Sequence, residues 1–143
     1  MDQPPPRHIL VITYWAYSDA LVQAYVLPYL RILLDVLPTG SVIHLVTLEP
    51  STDLVSQPMS GGVHHPFRYR PCGLRGIVAM AGVLWSLFRL VRKEWVDVLH
   101  AWCTPAGFVG YLLSVVTGRP LVVDSFEPHA EAMVENGTWG RGG

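Results

Sequence analysis

Apolar residues along this chain fall into short runs, typical of buried strands, that alternate with longer stretches of helical periodicity. The runs at residues 8–13 and 42–48 predict the first two strands, and a weaker run at 64–69 predicts a third. Pro66 lies in this third run and indicates an edge position, because proline donates no hydrogen bond to a neighbouring strand. Residues 49–62 are rich in turn residues and predict a loop.

The first helix is predicted to follow the first strand, with Ser18 or Asp19 as its N-cap. Pro28 lies inside the helical pattern and predicts a kink near Tyr25, because it removes one backbone donor. The apolar stripe expected to face the core consists of Leu21, Tyr25, Pro28 or Tyr29, Ile32 and Val36.

A second helix is predicted over residues 74–92, where apolar residues recur at helical spacing. Its expected core stripe is Ile77, Met80, Ala81, Leu84, Leu87, Phe88 and Val91. A strand at 96–100 follows, and then a helix capped by Thr104, with Pro105 as its first residue and Gly118 just past its end. Gly107 and Gly110 would let this helix lie close to the sheet.

The last predicted elements are a strand at 121–124 and a helix that Pro128 opens and Asn136-Gly137 ends. The order of elements predicts an α/β fold: a doubly wound, mostly parallel, Rossmann-like sheet of about five strands with helices on both faces. Residues 1–143 form one domain in this interpretation. A doubly wound domain would continue with more strands, so we expect the chain to be a truncated fragment.

Composition narrows the choice of function. Half of the residues are hydrophobic and the mean hydropathy is +0.33, which suits a fully buried parallel sheet or contact with a membrane. A net charge of -1 argues against a general nucleic-acid binder. The longest apolar run, residues 76–91, is broken by Ser86 and Arg89 and is shorter than the ~20 residues of a spanning helix, so we predict no transmembrane segment.

Basic residues concentrate in the segment that holds the second helix. This helix is either a core helix with solvated basic ends or a helix that lies on an anionic membrane surface. The residues expected to contact lipid headgroups in the second case are Arg75, Arg89, Arg92 and Lys93.

Several common chemistries lack their sequence signatures. No G-x-G-x-x-G follows the first strand and no P-loop motif is present, which argues against nicotinamide enzymes and P-loop nucleotidases. Two cysteines, Cys72 and Cys103, make no disulfide framework, and the chain begins without a signal-peptide pattern, so we expect a cytoplasmic protein. His100, Cys103 and His129 are a weak zinc signal, and no relay supports Cys103 as a nucleophile.

Ligands of an open parallel sheet bind outside the carboxyl ends of the strands. Polar residues follow the last two strands there, namely His100, Trp102, Asp124, Glu127 and His129. His129 lies in the first turn of the last predicted helix, where amide donors favour an anionic ligand. The alternative is that Glu127 and Glu131 only stabilise the start of that helix, and His100 is equally well a satisfied histidine at the rim.

Residues after the first strand have the same two interpretations. Asp19 is either only a helix cap or also a residue of the crevice. The aromatic residues Tyr14, Trp15 and Tyr17 form either a lid on the core or a platform on which a sugar ring stacks, and Trp102 is open to both interpretations.

Three stretches resemble the amino-terminal domain of retaining, family-4-like glycosyltransferases of the GT-B type. They are Gln23-Ala-Tyr-Val-Leu-Pro-Tyr-Leu30, Asp97-Val-Leu-His-Ala-Trp102 with Gly118-Arg-Pro-Leu-Val-Val123, and residues 124–139. The resemblance implies an acceptor-binding domain that faces a donor domain across a cleft, and that donor domain is absent from this chain. His129 would match the family's active-site histidine and Asp19 an acceptor-side residue, whereas the glycine pair common in the family's first loop is missing here.

The resemblance implies transfer of a sugar from a nucleotide-sugar to a hydroxyl of a glycan or a lipid-linked precursor. It implies no cofactor or metal besides the nucleotide-sugar co-substrate, and a place at the inner face of the membrane. Two alternatives remain open: a stand-alone flavodoxin-like binding module without catalysis, and a membrane-surface partner protein that uses the basic helix.

Overall fold

The computed structural model describes residues 4–69 and 73–125, whose centre is a six-stranded sheet. Its strands are β1 (His8–Ile12), β2 (Val42–Glu49), β3 (Pro58–Met59), β4 (Gly62–Arg68), β5 (Val98–Trp102) and β6 (Leu121–Asp124). They are ordered β3-β4-β2-β1-β5-β6, and only the β3–β4 pair is antiparallel. The strand order reverses beside β1, which is the switch point of a doubly wound sheet.

Helices cover both faces of the sheet. The first, α1 (Leu27–Val36), continues from a π-helical turn at Val22–Val26 and packs on one face. The other two, α2 (Leu74–Lys93) and α3 (Cys103–Thr117), pack side by side on the opposite face. The predicted doubly wound, mostly parallel α/β fold is therefore confirmed, with one more strand than expected.

The face of the first helix that meets the core was predicted wrongly. The side chains buried against the sheet are Val22, Val26 and Leu30, whereas the expected stripe members Tyr25, Tyr29, Ile32 and Val36 are exposed. The sequence between 21 and 37 is apolar on nearly all sides, so periodicity alone did not select a face. The π-helical turn lies just before Pro28, where the prediction placed a kink.

The start of α3 and the bounds of β5 also differ from the prediction. Strand β5 ends at Trp102 rather than at residue 100, so His100 lies inside the strand, and α3 begins at Cys103 without a side-chain cap from Thr104. The end of α3 agrees with expectation, because Gly118 adopts a left-handed conformation there with φ 68°. Strand β6 was predicted with its observed bounds.

Two glycines bring α3 close to the sheet, as expected from their spacing. A Cβ atom on Gly107 would lie 3.3 Å from a methyl of Val123, and one on Gly110 would lie 2.8 Å from a methyl of Leu121. The close approach packs the first and middle turns of α3 against β5 and β6, where Ala106, Val109 and Leu113 are buried.

Strand β4 is only partly an edge strand. The short β3 pairs with Gly62 and Val63, so these residues lie inside the sheet, whereas Pro66 lies beyond the end of β3. The nitrogen of Pro66, which carries no hydrogen to donate, therefore faces an open edge of the sheet, as the sequence indicated. Residues 49–62, predicted to be a loop, contain this additional strand.

Helix α2 is long and apolar, with twenty residues. Among the described residues it has the length and apolarity of a membrane span, with a mean hydropathy of 1.6, although no such segment was predicted. Only 17% of its most apolar window is buried, and the residues that face the core are Val83, Leu87 and Val91. Ile77, assigned to the core stripe from sequence, is 70% exposed.

Candidate functional site

The loop after β1 is tied to the carboxyl end of β2. The hydroxyl of Thr13 donates to the carbonyl of Val46 over 3.0 Å, and the amide of Leu48 donates to the carbonyl of Trp15 over 3.2 Å. The amide of Tyr17 donates to a carboxylate oxygen of Glu49 over 2.9 Å. The loop is thus held at the edge of the sheet where ligands of this fold bind.

A chain of hydrogen bonds extends from Glu49 across β2 to β4. The amide of Gln57 donates to Nδ1 of His64 over 2.9 Å, so this nitrogen is the acceptor and a neutral His64 carries its proton on Nε2. That Nε2 lies 2.7 Å from the hydroxyl of Thr47, which must then donate its own proton to Glu49, 2.6 Å away. The hydrogen-bond geometry therefore assigns to His64 the tautomer protonated on Nε2. The hydrogen bonds are donated in one direction, from Gln57 through His64 and Thr47 to Glu49.

Burial makes the neutral form of His64 the stable one. Its pKa is lowered by burial, and the carboxylate of Glu49 acts in the opposite direction without reversing the shift. The ring of Tyr17 packs against the His64 imidazole with 4.7 Å between the ring centroids. The chain Gln57–His64–Thr47–Glu49 therefore joins three segments: the loop after β1, the end of β2 and the connection before β4.

Replacing Thr47 by valine tests this chain, because valine has the same shape and no hydroxyl. The change leaves the buried N–H of His64 without an acceptor, and we expect the free energy of unfolding to fall by about 1–3 kcal/mol in urea titrations. The matched control is Thr117→Val, which removes a hydroxyl bonded to its own helix and should cost less than about 0.5 kcal/mol. Equal losses of unfolding free energy in the two variants would contradict the assigned series of hydrogen bonds.

Tyr14, in the same loop, pairs with a tyrosine at the end of β4. Its hydroxyl and that of Tyr69 form a short hydrogen bond, and the two rings meet edge to face with centroids 5.1 Å apart. Burial first, and then the bond to Tyr69, raise the pKa of Tyr14 to about 12. Tyr14 therefore stays neutral at physiological pH and can only act as a neutral hydroxyl.

A second feature is an aromatic groove beside β5 and β6, on the face that α1 covers. It is open, has a volume of about 450 Å³, and is lined by Ala24, Tyr25, Pro28, Tyr29, Ile32, Trp102 and Asp124. Trp102 and Asp124 are the last residues of adjacent strands and lie opposite each other in register. The Tyr29 ring meets Trp102 edge to face, with centroids 5.4 Å apart.

His100 lies beneath this groove rather than at its rim. It is 5% exposed, and its ring packs against Tyr29 and Trp102 with centroid distances of 5.6 and 5.8 Å. Burial lowers the pKa of His100, while the carboxylate of Asp124 acts in the opposite direction. Asp124 is thus the charged group of the groove, and His100 supports its wall.

The structure brings the predicted site residues His100, Trp102 and Asp124 together, whereas Asp19, Tyr14 and Trp15 do not line the groove. The carboxylate of Asp19 accepts the amide of Leu21 over 2.9 Å just before the π-helical turn that leads into α1, while the ring contacts of His100 are with Tyr29 and Trp102. Trp15 and Tyr17 pack against the core cluster under α1, which favours their interpretation as a lid on the core. Glu127 and His129 lie outside the described residues, and their assignment to the site stays a prediction.

The zinc and thiol interpretations find no support in the described residues. Within 4–69 and 73–125, histidine, cysteine, aspartate and glutamate side chains form no group of three with metal-binding geometry. Cys103 is buried at the junction of β5 and α3, where its backbone has φ 65°. This side chain is part of the packed core and is not placed like a nucleophile facing a cleft.

Sequence reasoning missed the hydrogen-bonded chain and the α1 side of the groove. Thr47 and His64 lie within the runs predicted as strands, and neither was assigned a role. Both signals were visible as polar side chains within a buried strand, which require partners. Tyr29 was missed because it was assigned to the wrong face of its helix.

Sequence comparisons leave the family open, whereas structural comparisons identify the fold. No family model and no curated protein matches the sequence. MurG from Acinetobacter baumannii aligns with 88% of this chain at 10% identity and a TM-score of 0.52, and a glycosyltransferase from Rickettsia africae ESF-5 aligns with 87% at 14% identity and a TM-score of 0.50. The C-terminal domain of PF1911 hydrogenase from Pyrococcus furiosus aligns with 86% at 18% identity, with a TM-score of 0.49 and 97% of that domain covered.

The likenesses to MurG and to the Rickettsia enzyme show a fold shared with glycosyltransferase domains. The chain spans 38% of MurG and 32% of the Rickettsia enzyme, about a third of each. Identities of 10% and 14% are too low to carry the activity of either protein to this chain.

Proposed function

We propose that this chain is the acceptor-side domain of a glycosyltransferase of GT-B architecture, in which a second domain binds the nucleotide-sugar. The observation that carries the proposal is the aromatic groove at the carboxyl ends of β5 and β6, on a fold shared with glycosyltransferase domains. The family-4-like, retaining character and the active-site role of His129 come with the sequence resemblance and are part of the same proposal.

The groove has the chemistry that a sugar ring needs. The exposed rings of Tyr25 and Tyr29, with the buried Trp102 behind them, offer apolar surface to the C–H face of a pyranose. Ligand sites combine such surface with a few placed polar groups. The Asp124 carboxylate accepts hydrogen bonds from sugar hydroxyls, since an ionised carboxylate is an acceptor only. The groove is open, as binding of one unit of a longer glycan or lipid-linked acceptor requires.

In the proposed reaction the acceptor hydroxyl forms a bond to the anomeric carbon of the donor sugar while the bond from that carbon to the diphosphate breaks. The hydroxyl proton leaves with the diphosphate, so atoms and charges balance. The described residues bind and orient the acceptor: Asp124 and Tyr29 hold the sugar, and the Glu49–Thr47–His64 chain holds the neighbouring loop in place. The enzyme would work at the cytoplasmic face of a membrane.

Binding of simple sugars to the chain tests this proposal without the donor domain. Methyl glycosides of glucose, galactose and mannose serve as probes, observed by saturation-transfer and amide-shift NMR. We expect at least one probe to bind in the millimolar range, with shifts confined to the groove. Asp124→Asn and Tyr29→Ala should each weaken it by about 5-fold or more, because each removes a direct contact.

The control for this experiment is Tyr111→Ala, which removes an exposed tyrosine from α3 on the other face of the sheet. It should leave the binding of the probe unchanged. Failure of all three probes to shift groove residues, or equal weakening by the control variant, would contradict a sugar site in this groove.

A further inference from the structure

The outward side of α2 is apolar over its first three turns, apart from Arg75, and cationic over its last. Leu74, Val78 and Trp85 are spaced so that they share this side, and they are 82%, 71% and 63% exposed. Arg89 and Arg92 continue the same line toward the end of the helix. Helix α2 contains no aspartate or glutamate.

The neighbouring α3 repeats this apolar pattern. Phe108, Tyr111 and Val115 lie at i, i+3 and i+7 on its outward side and are 64%, 59% and 63% exposed. None of the fifteen residues of α3 is charged. Since α2 and α3 pack side by side on one face of the sheet, their exposed side chains form one continuous apolar surface.

Basic side chains cluster at the carboxyl ends of α2 and α3. An open cavity of about 300 Å³ between these ends is lined by Val91, Arg92, Trp95, Thr117 and Arg119. Trp95 is largely exposed, and Arg92 and Arg119 bring two guanidinium groups to one cavity. Lys93 adds a further cation, and the nearest carboxylate is Glu94, 3.6 Å from its ammonium group.

We propose that this surface lies on an anionic membrane. The outer helical face consists of Leu74, Ile77, Val78, Trp85, Phe108, Tyr111 and Val115 together with Arg89, Arg92, Lys93 and Arg119. Its apolar side chains enter the boundary between headgroups and acyl chains, and its cations contact lipid phosphates. The apolar side chains carry much of the binding, so the site is more than the electrostatic contact of four basic residues expected from sequence.

Helix α2 lies on the bilayer and does not cross it. Its inner residues Val83, Leu87 and Val91 are 8%, 0% and 2% exposed and pack against strands β1, β2 and β5. Withdrawing the helix to span a membrane would expose these side chains together with the sheet residues beneath them. An interfacial position keeps the core intact and uses only the side of the helix that the domain leaves exposed.

Charge favours a lipid surface over a second copy of this chain. The outer helical face carries four cations; Lys93 pairs with Glu94 just after α2, and neither helix contributes a carboxylate to the other three. Two such faces packed together would bring buried arginines against each other or against apolar side chains, which is unfavourable. Lipid phosphates supply the missing negative charge along the whole cationic edge.

This placement has a consequence that rests on the proposed function. Both α2 and α3 begin at the carboxyl edge of the sheet, because they return antiparallel to the strands. When the two helices lie flat on a bilayer, that edge opens sideways, along the membrane surface. The aromatic groove lies on the α1 side of the sheet, away from the bilayer, so the sugar of a lipid-linked acceptor would extend past this edge to reach it while its lipid stays in the membrane.

Vesicle flotation with the whole chain tests the membrane proposal and requires no catalytic activity. The probes are phosphatidylcholine vesicles with and without about 30% phosphatidylglycerol. We expect binding to the anionic vesicles, and about 50-fold weaker binding after Arg89→Glu, Arg92→Glu and Lys93→Glu are combined. A second variant, combining Leu74→Ser, Val78→Ser, Phe108→Ser and Val115→Ser, should lose binding by a similar factor.

Matched controls lie on α1, which covers the other face of the sheet. Val36→Ser replaces an equally exposed apolar residue, and Arg31→Glu reverses an exposed cation, and both variants should bind as the parent does. Equal binding to neutral vesicles, or loss of binding in the α1 variants, would overturn the proposal. The proposal would also be overturned by a dimer of this chain that persists in the presence of anionic vesicles and is disrupted by the four serine substitutions. Sugar binding in the groove is measured in a separate NMR experiment. A negative result there would not contradict membrane binding by the outer helical face.

Discussion

Replacing Leu87 by alanine should lower the free energy of unfolding by about 3–5 kcal/mol, in the range measured for fully buried leucines. Leu87 is 0% exposed and lies in the middle of α2, where it packs into the core cluster between the helix and the sheet. Truncation removes a buried side chain and leaves a cavity beneath a helix that has few other buried residues. Urea unfolding followed by far-ultraviolet circular dichroism measures the loss.

The matched control is Leu74→Ala, thirteen positions earlier in the same helix, where the side chain is 82% exposed. Leucine and alanine have similar helix propensities, so this change should cost less than about 0.5 kcal/mol. Leu87→Met, which keeps the volume, should cost less than about 1.5 kcal/mol and remains measurable if the alanine variant does not fold. Equal costs at positions 74 and 87 would mean that α2 does not dock on the sheet.

Acidification from pH 6.5 to pH 4 should destabilise the protein strongly, through histidines that are buried in the neutral form. Burial, first, and then the neighbouring His65 lower the pKa of His44 to about 4. Above pH 6.5 both the folded and the unfolded states leave this imidazole neutral. Between pH 6.5 and 4 the unfolded state binds a proton on His44 that the folded state does not bind. The free energy of unfolding therefore falls as pH falls, by up to about 3 kcal/mol for His44.

The surroundings of His44 explain the effect. Its Nδ1 lies 3.1 Å from Nε2 of His65, and its ring stacks on that of His8 with centroids 5.8 Å apart. Its Nε2 is buried and has no hydrogen-bond partner among the described residues. A proton on His44 would therefore place a charge between two other imidazoles in the interior. Burial also lowers the pKa values of His64, His65 and His100, which adds to the loss in the same direction.

The measurement is the free energy of unfolding from urea titrations between pH 7.5 and 4.5, in the parent and in His44→Phe. Phenylalanine preserves the ring without a titratable group. Between pH 6.5 and 5 the dependence of stability on pH should become less steep in the variant, by up to about 1.4 kcal/mol per pH unit. An unchanged slope would show that His44 is not the buried neutral group described here. NMR titration of its ring protons gives the pKa directly.

Prediction from sequence succeeded where a local signal had one interpretation. Strand β6 between Pro120 and Ser125 was placed correctly, because a four-residue apolar run with polar boundaries leaves little choice of register. The end of α3 at Gly118 followed from the left-handed conformation that glycine adopts without strain. Helix α2 was found with its bounds to within one residue, since its periodicity extends over twenty positions.

Prediction failed where two faces of an element were equally apolar. The segment that became α1 offered Tyr25 and Ile32 on one side and Val26 and Leu30 on the other, and hydrophobicity does not rank them. The sheet selected Val26 and Leu30, because compact aliphatic side chains pack closely against its surface. The tyrosines were thereby left to line the groove, which is why the groove could not be foreseen.

The sequence by itself determined the α/β class, the parallel order of the main strands, the helix boundaries marked by glycine, and the concentration of polar residues after the strands. These features depend on local propensity and on periodicities that act over a few residues. Only the tertiary structure decided which side of each helix is buried, and that His64, distant in sequence from β2, joins Thr47 and Glu49 in one hydrogen-bonded series. Such choices depend on packing across the sheet, which brings together residues whose spacing in sequence carries no information about their contact.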